Sequence, residues 1–313
     1  MTSEVKSWYK TELPQSHVYQ LDTDIDMLWE GTEDIGFGPR FLGEIRKGQW
    51  HSELGGPKHA YVSFMFAEVV ENGDDVVDGR VEIFGPDLNE LPPETTLPFV
   101  QHVRLWGPSL NEDHTEFAAR GVATGWIQME GCGWIGSPDT VWLRVSKQVA
   151  PRLSWKKICQ IIRANTMTEC PLVEKVEIKM IIGTPEVGGR EIIQTVINEI
   201  KPKWDALAAK HAAVADEDVD LFYGCTLCKM IAPNHACVVT PAVVPYCGVL
   251  SFYTCKAIYD TDPFGYVFAL PKGDTIDSVT GRYTGVDEVI WEKSDHRHKR
   301  FDLHSVIKYP TTN

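Results

Sequence analysis

The sequence predicts a mixed α/β (α+β) protein of two domains. Three observations carry this: the chain's length, an alternation of strand and helix periodicities over its first two thirds, and a change of character after about residue 208. Its 313 residues suit two domains of ordinary size better than one. Strand patterns occur at residues 60–67, 80–84 and 141–146. In the last of these Val141, Leu143 and Val145 alternate with Trp142, Arg144 and Ser146, the period of a half-buried strand. Ser154 is placed to cap a helix on which Trp155, Ile158, Cys159 and Ile162 share a face. A strand through Val176, Ile178, Met180 and Ile182 follows. A second helix begins near Glu191, with Ile193, Val196, Ile197 and Ile200 on one side, and Pro202 is expected to end it. Residues 203–214 are Ala-rich and helical, and the acidic run 216–220 closes them as a solvated edge. These signals divide the chain into 1–208, a middle α/β domain, and 209–313. Beyond Cys255 the turn signals Asp262-Pro-Phe-Gly265, Pro271-Lys-Gly-Asp274 and 280–285 predict a loop-rich stretch, and residues 295–300 read as a charged surface loop.

A formal charge of −14 excludes a general nucleic-acid binder, because a phosphate backbone is repelled by such a surface. The first residues lack the apolar core of a signal peptide, and no apolar run has the length of a membrane span, so a cytoplasmic protein without membrane contact is expected. Eight cysteines without a secretion signal fit a reducing compartment, where thiols bind metals and do not pair. Cys132, Cys159 and Cys170 are scattered and read as small buried apolar residues.

The other cysteines are not scattered. Cys225, Cys228, Cys237 and Cys247 follow one another at spacings of three, nine and ten residues, with Pro233, Pro241 and Pro245 stiffening the intervening loops. A core gains nothing from four sulfurs in a turn-rich segment, whereas convergence on a metal replaces missing burial with metal–thiolate bonds. Zinc and a 4Fe-4S cluster are both open on spacing. Zinc ribbons pair two C-x-x-C knuckles and only Cys225 and Cys228 form one, which leans toward iron–sulfur.

The residues around the thiols carry a resemblance. Phe222-Tyr-Gly-Cys-Thr-Leu-Cys228, Ala232-Pro-Asn-His-Ala-Cys-Val-Val-Thr-Pro241, Cys247-Gly248, Cys255-Lys-Ala257 and Gly281-Arg-Tyr-Thr-Gly-Val-Asp-Glu288 are similar to the catalytic β subunit of CO-methylating acetyl-CoA synthase. The similarity continues through 216–224, 141–147, Asp78-Gly-Arg-Val-Glu-Ile-Phe-Gly-Pro-Asp87 and Leu54-Gly-Gly-Pro57. It implies a nickel–iron–sulfur centre in which Cys225, Cys228, Cys237 and Cys247 hold a 4Fe-4S cubane and Cys228, the catalytic thiolate, also bridges to a proximal nickel. It further implies acetyl-CoA synthesis from CO, a methyl group supplied by a corrinoid iron–sulfur protein, and coenzyme A, beside a carbon monoxide dehydrogenase subunit. On this reading 209–313 is the first part of the cluster domain. The family's downstream Cys-Gly-Cys motif, which holds a distal nickel, would follow Asn313, so a fragment or a truncated relative is expected. Ile231 and residues 249–254 depart from the family pattern, which implies a differently shaped pocket, while Cys255 reads as a packed thiol. The non-catalytic alternative is a relative whose quartet binds zinc or a 4Fe-4S cluster for stability or electron transfer.

Coenzyme A carries several phosphate charges, so an acidic protein must gather arginines where it binds. The candidates are Arg40, Arg46, Arg104 and Arg120, with Trp126 as an indole on which adenine stacks.

Overall fold

The computed structural model describes residues 7–14, 16–21, 51–54, 64–87, 90, 97–128, 133–137, 140–146, 154–226, 237–243, 245 and 250–304; for 51–54, 64, 123–128, 133–137 and 140–146 it describes the backbone alone. The fold class is the expected mixed α/β one. The chain divides into two compact units, Met1–Ala206 and Leu207–Asn313.

The first unit contains strands β1 (His17–Gln20), β2 (His51–Leu54), β3 (Phe64–Val69), β4 (Arg80–Phe84) and β5 (Phe99–Trp106), then helix α1 (Thr115–Gln128). Strands β6 (Gly133–Ser137) and β7 (Thr140–Ser146), helix α2 (Trp155–Glu169), strand β8 (Lys175–Ile182) and helix α3 (Gly189–Ala212) complete it. Five strands form a mixed sheet in the order β1-β4-β8-β5-β3, and β2-β7-β6 form a small antiparallel sheet. In the large sheet β8 is central. It runs parallel to β4 and antiparallel to β5.

Helix α2 starts where its sequence directs. Ser154 Oγ accepts the Lys157 N–H at 3.2 Å, and Trp155, Ile158, Cys159 and Ile162 are all buried. Burial also drives the Cys159 thiol far above its usual range and pushes Cys170 up to about 11, as befits thiols serving as apolar residues. Helix α3 corrects an expectation, for it runs through Pro202 without ending there. A proline removes one hydrogen bond, but Ile193, Val196, Ile197 and Ile200 before it and Trp204 after it pack into one core cluster with Phe66, Phe84, Val100 and Ile181. That shared burial outweighs the local defect.

The segment Asp78–Asp87 shows why its residues are what they are. Gly79 sits at φ +71°, a region other residues rarely enter, and this turns the chain into β4. Asp78 accepts two bonds from the buried Arg163 guanidinium of α2, at 3.2 and 2.6 Å, and a third from the Val176 N–H at the start of β8. Asp87 accepts the Trp155 N–H at 2.9 Å, and the Trp155 indole donates to the Pro86 carbonyl. One short segment thus ties β4 to α2 and β8.

Strand alternation gives the large sheet two unlike faces. Val81, Ile83, Val103, Leu105, Val176, Ile178 and Met180 form a buried apolar face. The other face begins apolar against α3 and continues as a row of charges: Glu82 is opposite Lys179, Lys179 opposite His102, Glu177 opposite Arg104, and Arg104 opposite Glu68. Lys179 and Glu82 pair at 2.6 Å, and the Arg104 and Lys179 cations each lie 4.5 Å from a ring centroid of Trp8. His102 is fully buried, with Nε2 2.9 Å from Glu68 and Nδ1 3.1 Å from the Tyr9 hydroxyl. An ionised Glu68 can only accept, so Nε2–H donates to it and Nδ1 accepts from Tyr9. Burial opposes ionisation of Glu68, yet hydrogen bonds from His102 and Lys203 and the Arg104 charge hold its pKa well below the carboxylate range. Burial lowers His102 from 6.5 to about 4 against the pull of Glu68.

Two outcomes follow from these contacts. Asp78→Ala leaves Arg163 buried without its partner and should cost about 3 kcal/mol in urea unfolding; a loss below about 1 kcal/mol would refute the role. His102 is neutral when folded but protonates below pH 6.5 when unfolded, so folding stability should fall as pH drops from 6.5 toward about 4. Glu68 adds a loss of the same sign below its unfolded value of 4.5. His102→Gln should flatten the upper part of that decline in melting temperature measured against pH.

Candidate metal centre

The second unit contains strands β9 (Leu221–Cys225) and β10 (Cys237–Val239), helix α4 (Phe252–Thr261), strands β11 (Val267–Pro271), β12 (Thr275–Asp277) and β13 (Arg282–Tyr283), and helix α5 (Thr284–Lys293). The stretch expected to be loop-rich therefore carries two helices. The turn signals do lie between its elements, while residues 295–300 are exposed and irregular as expected. Ser251 begins α4 by accepting the Thr254 N–H at 3.0 Å. Helix α5 is fixed through Asp287, which accepts from Arg282 Nε at 2.8 Å and from the Phe301 N–H at 2.8 Å.

Strands β10, β9 and β11 form an antiparallel sheet with β9 in the centre. Residues 221–225, Leu-Phe-Tyr-Gly-Cys, divide between its faces. Phe222 packs with Val238, Leu270, Tyr283, Val286 and Ile290 against α5. Position 224 shares that face by the strand's alternation and is glycine because the Phe268 ring closes over it: a Cβ there would stand 2.2 Å from the ring tip. The opposite face faces α4, where Tyr223 meets Phe252 and Tyr259 at ring-centroid distances of 5.4 and 5.9 Å. Burial there raises the Tyr223 hydroxyl well above its usual pKa. Cys255, on α4, is fully buried.

Cys225 and Cys237 occupy this second face and are directly opposite each other across β9 and β10. Directly opposed side chains leave a sheet on the same side, with Cα atoms about 4.5–5.5 Å apart. Two of the four thiols singled out in the sequence are therefore brought together. Cys225 is buried and held from both flanks, since Val267 of β11 is opposite it on the other side. Cys237 is half-buried on the edge strand. Cys228, Cys247 and Ile231 lie outside the described residues, and among the described residues no three His, Cys, Asp or Glu side chains converge as a metal site.

Several contacts that the sequence did not single out fix the frame around the pair. Thr226 donates both its N–H (3.0 Å) and its hydroxyl (3.2 Å) to the Tyr266 carbonyl, anchoring the chain where it leaves Cys225. Thr240 Oγ1 accepts the Val243 N–H at 2.9 Å, tightening the turn that follows Cys237. Asp216 lies in the acidic run read as solvated, yet it is buried and accepts the Ala242 N–H at 2.9 Å. Lys272 Nζ donates to the carbonyls of Asp216 and Glu217 at 2.8 and 3.3 Å. The signal that could have revealed this role is the apolar neighbour Val219 and the strand that begins two residues later; a charge run alone hides it.

Of the arginines considered for coenzyme A, Arg104 lies in the charge row of β5, bonded to Glu68 at 3.2 Å and stacked on Trp8. Arg120 is half-buried on α1. Arg40 and Arg46 lie outside the described residues, as does the Trp126 side chain.

Thiols are ligands for zinc and for iron–sulfur clusters alike, and comparison with known proteins narrows the choice. Residues 34–187 match the family described as the CO dehydrogenase/acetyl-CoA synthase complex beta subunit, and residues 204–313 match the family of the C-terminal part of the ACS/CODH beta subunit. The chain belongs to the family of these β subunits. It is similar to the acetyl-CoA decarbonylase/synthase complex subunit beta of Methanothermobacter thermautotrophicus, 31% identical over 283 residues, which is 89% of this chain and 59% of that protein. It is 33% identical over 281 residues to subunit beta 2 of Methanocaldococcus jannaschii, covering 89% of this chain and 57% of the relative. Against the Archaeoglobus fulgidus subunit beta it is 31% identical over 280 residues, 88% of this chain and 52% of the relative. The chain thus spans little more than half the length of these relatives.

Gly224→Ala tests the frame. The Phe268 ring must swing out of its cluster to admit the methyl group, at an expected cost of about 2 kcal/mol in thermal or urea unfolding. A neutral outcome would show that the contact between β9 and β11 does not constrain the strand that bears Cys225.

Proposed function

We propose that this chain carries the nickel–iron–sulfur centre of an acetyl-CoA synthase/decarbonylase β subunit. On this reading Cys225, Cys228, Cys237 and Cys247 would hold a 4Fe-4S cluster, and Cys228 would also serve the nickel. The supporting observation is the register that puts Cys225 opposite Cys237 on one sheet face. The donor set fits the group, since thiolates suit iron–sulfur clusters and a sulfur shared with iron keeps nickel electron-rich. When bound, the group supplies the joining of a methyl group to CO, with the coenzyme A thiolate taking the acetyl product.

The chain's own residues would contribute placement. Cys225, on a strand paired from both sides, would be the rigid ligand, and Cys237, on a three-residue edge strand, the more adjustable one. Family membership also supports CO, coenzyme A, a corrinoid iron–sulfur protein and a carbon monoxide dehydrogenase subunit as partners. Arg40, Arg46, Arg104, Arg120 and Trp126 are the proposed nucleotide contacts. Because Arg104 is bound within the charge row, its part there would be to support the first unit's surface and not to meet a phosphate alone.

Anaerobic iron, sulfide and nickel reconstitution tests this. The wild-type chain should take up about four iron atoms with a brown chromophore. Cys225→Ala, Cys228→Ala, Cys237→Ala and Cys247→Ala should each lose most of that iron, while Cys159→Ala should keep it. Stoichiometric zinc without colour would favour the non-catalytic relative, and equal iron loss in Cys159→Ala would refute the ligand assignment.

A further inference from the structure

We infer that Cys225 and Cys237 are a modification site: in the metal-free chain they form a reversible cross-strand disulfide that closes the centre to metal. The disulfide rests on strand register, and the closure rests on the metal-site reading proposed above.

The geometry is direct. Residues directly opposite on antiparallel strands have Cα atoms about 4.5–5.5 Å apart, inside the roughly 4.4–6.8 Å window that a disulfide spans. Both cysteines occupy the α4 face of the sheet, and their strands pair over three successive positions, so the two side chains leave the sheet next to each other. Cys159 and Cys170 are buried elsewhere in the other unit and offer no such pairing.

The difference in burial sets the order of events. Cys237 is half-buried on the edge strand, so it meets a small-molecule disulfide such as oxidised glutathione first. Its thiolate attacks one sulfur of that disulfide, forming a mixed disulfide and expelling one glutathione thiolate. Cys225, buried and directly across the strand pair, then attacks the Cys237 sulfur. The sulfur–sulfur bond of the mixed species breaks, the second glutathione thiolate leaves, and the Cys225–Cys237 bond forms. Two protein thiols are oxidised by two electrons, one glutathione disulfide is reduced to two thiols, and the two protein protons pass to the departing thiolates through solvent. Sulfurs joined in this way are no longer thiolates, so two of the four proposed ligands are lost until a reductant cleaves the bond.

The test uses the full, metal-free chain purified anaerobically. After treatment with oxidised glutathione and alkylation of remaining thiols, non-reducing peptide mapping should show Cys225 linked to Cys237. Cys228→Ser and Cys247→Ser should keep that link. In Cys225→Ser, glutathione should remain attached to Cys237. A dominant link from Cys225 to Cys228, or no link at all, overturns the proposal. Iron–sulfide reconstitution of the oxidised chain should give roughly tenfold less iron than the reduced chain, and dithiothreitol should restore it. Equal uptake by both forms refutes the closure while leaving the disulfide in place. A reduced chain that forms the link normally but takes up no iron refutes the metal-site reading instead, so the two failures are told apart.

Discussion

The two-residue alternation of a strand is the constraint on which this structure depends. A sheet covered on both sides must assign every residue to one face or the other, and both units use that division. In the first, one face of the five-stranded sheet is largely apolar and the other carries a charge row bounded by the α3 core. In the second, β9 gives Phe222 and Gly224 to the α5 core and reserves the other face for Tyr223 and Cys225. A slip of one residue in β9 would turn the thiol into the α5 core and Phe222 toward α4. Phe268 over Gly224 and Thr226 on Tyr266 oppose that slip from both sides of Cys225.

Buried charge in the first unit is arranged so that each ion faces an opposite one on the next strand. Glu82 with Lys179 and Glu68 with Arg104 are cross-strand pairs, and Trp8 lies against two of the cations. Such pairs add little net stability over apolar residues of equal volume, but leaving any one unmatched is costly. The row therefore favours the observed strand order, in which Glu82 meets Lys179 and Arg104 lies between Glu68 and Glu177.

How much was legible in the sequence depended on whether the signal was local. Ser154 before Trp155, and the 3.6-residue spacing of Ile158 and Ile162, define α2 without help from the rest of the chain, and β4 and β8 read equally well. Pro202 misleads because its cost is local while the burial of Ile200 and Trp204 that offsets it is tertiary. Helices α4 and α5 were hidden by their ten-residue length and by the glycines and prolines at their borders. The quartet of cysteines was legible as chemistry. That Cys225 lies opposite Cys237 was not, since register is set by cross-strand contacts, those with β11 among them, which the spacing of ligands does not encode.

The position of β8 at the centre of its sheet has a consequence for how the protein is made. It pairs with β4 and β5 yet follows them in the chain only after α1, β6, β7 and α2, and Asp78 is joined to Arg163 and Val176 across sequence separations of 85 and 98. During synthesis β4 and β5 emerge with unpaired edges and cannot gain their shared neighbour until the ribosome has released residue 182. The nascent chain must keep two unpaired strand edges from pairing wrongly throughout that interval, a stage of synthesis at which assistance is of use.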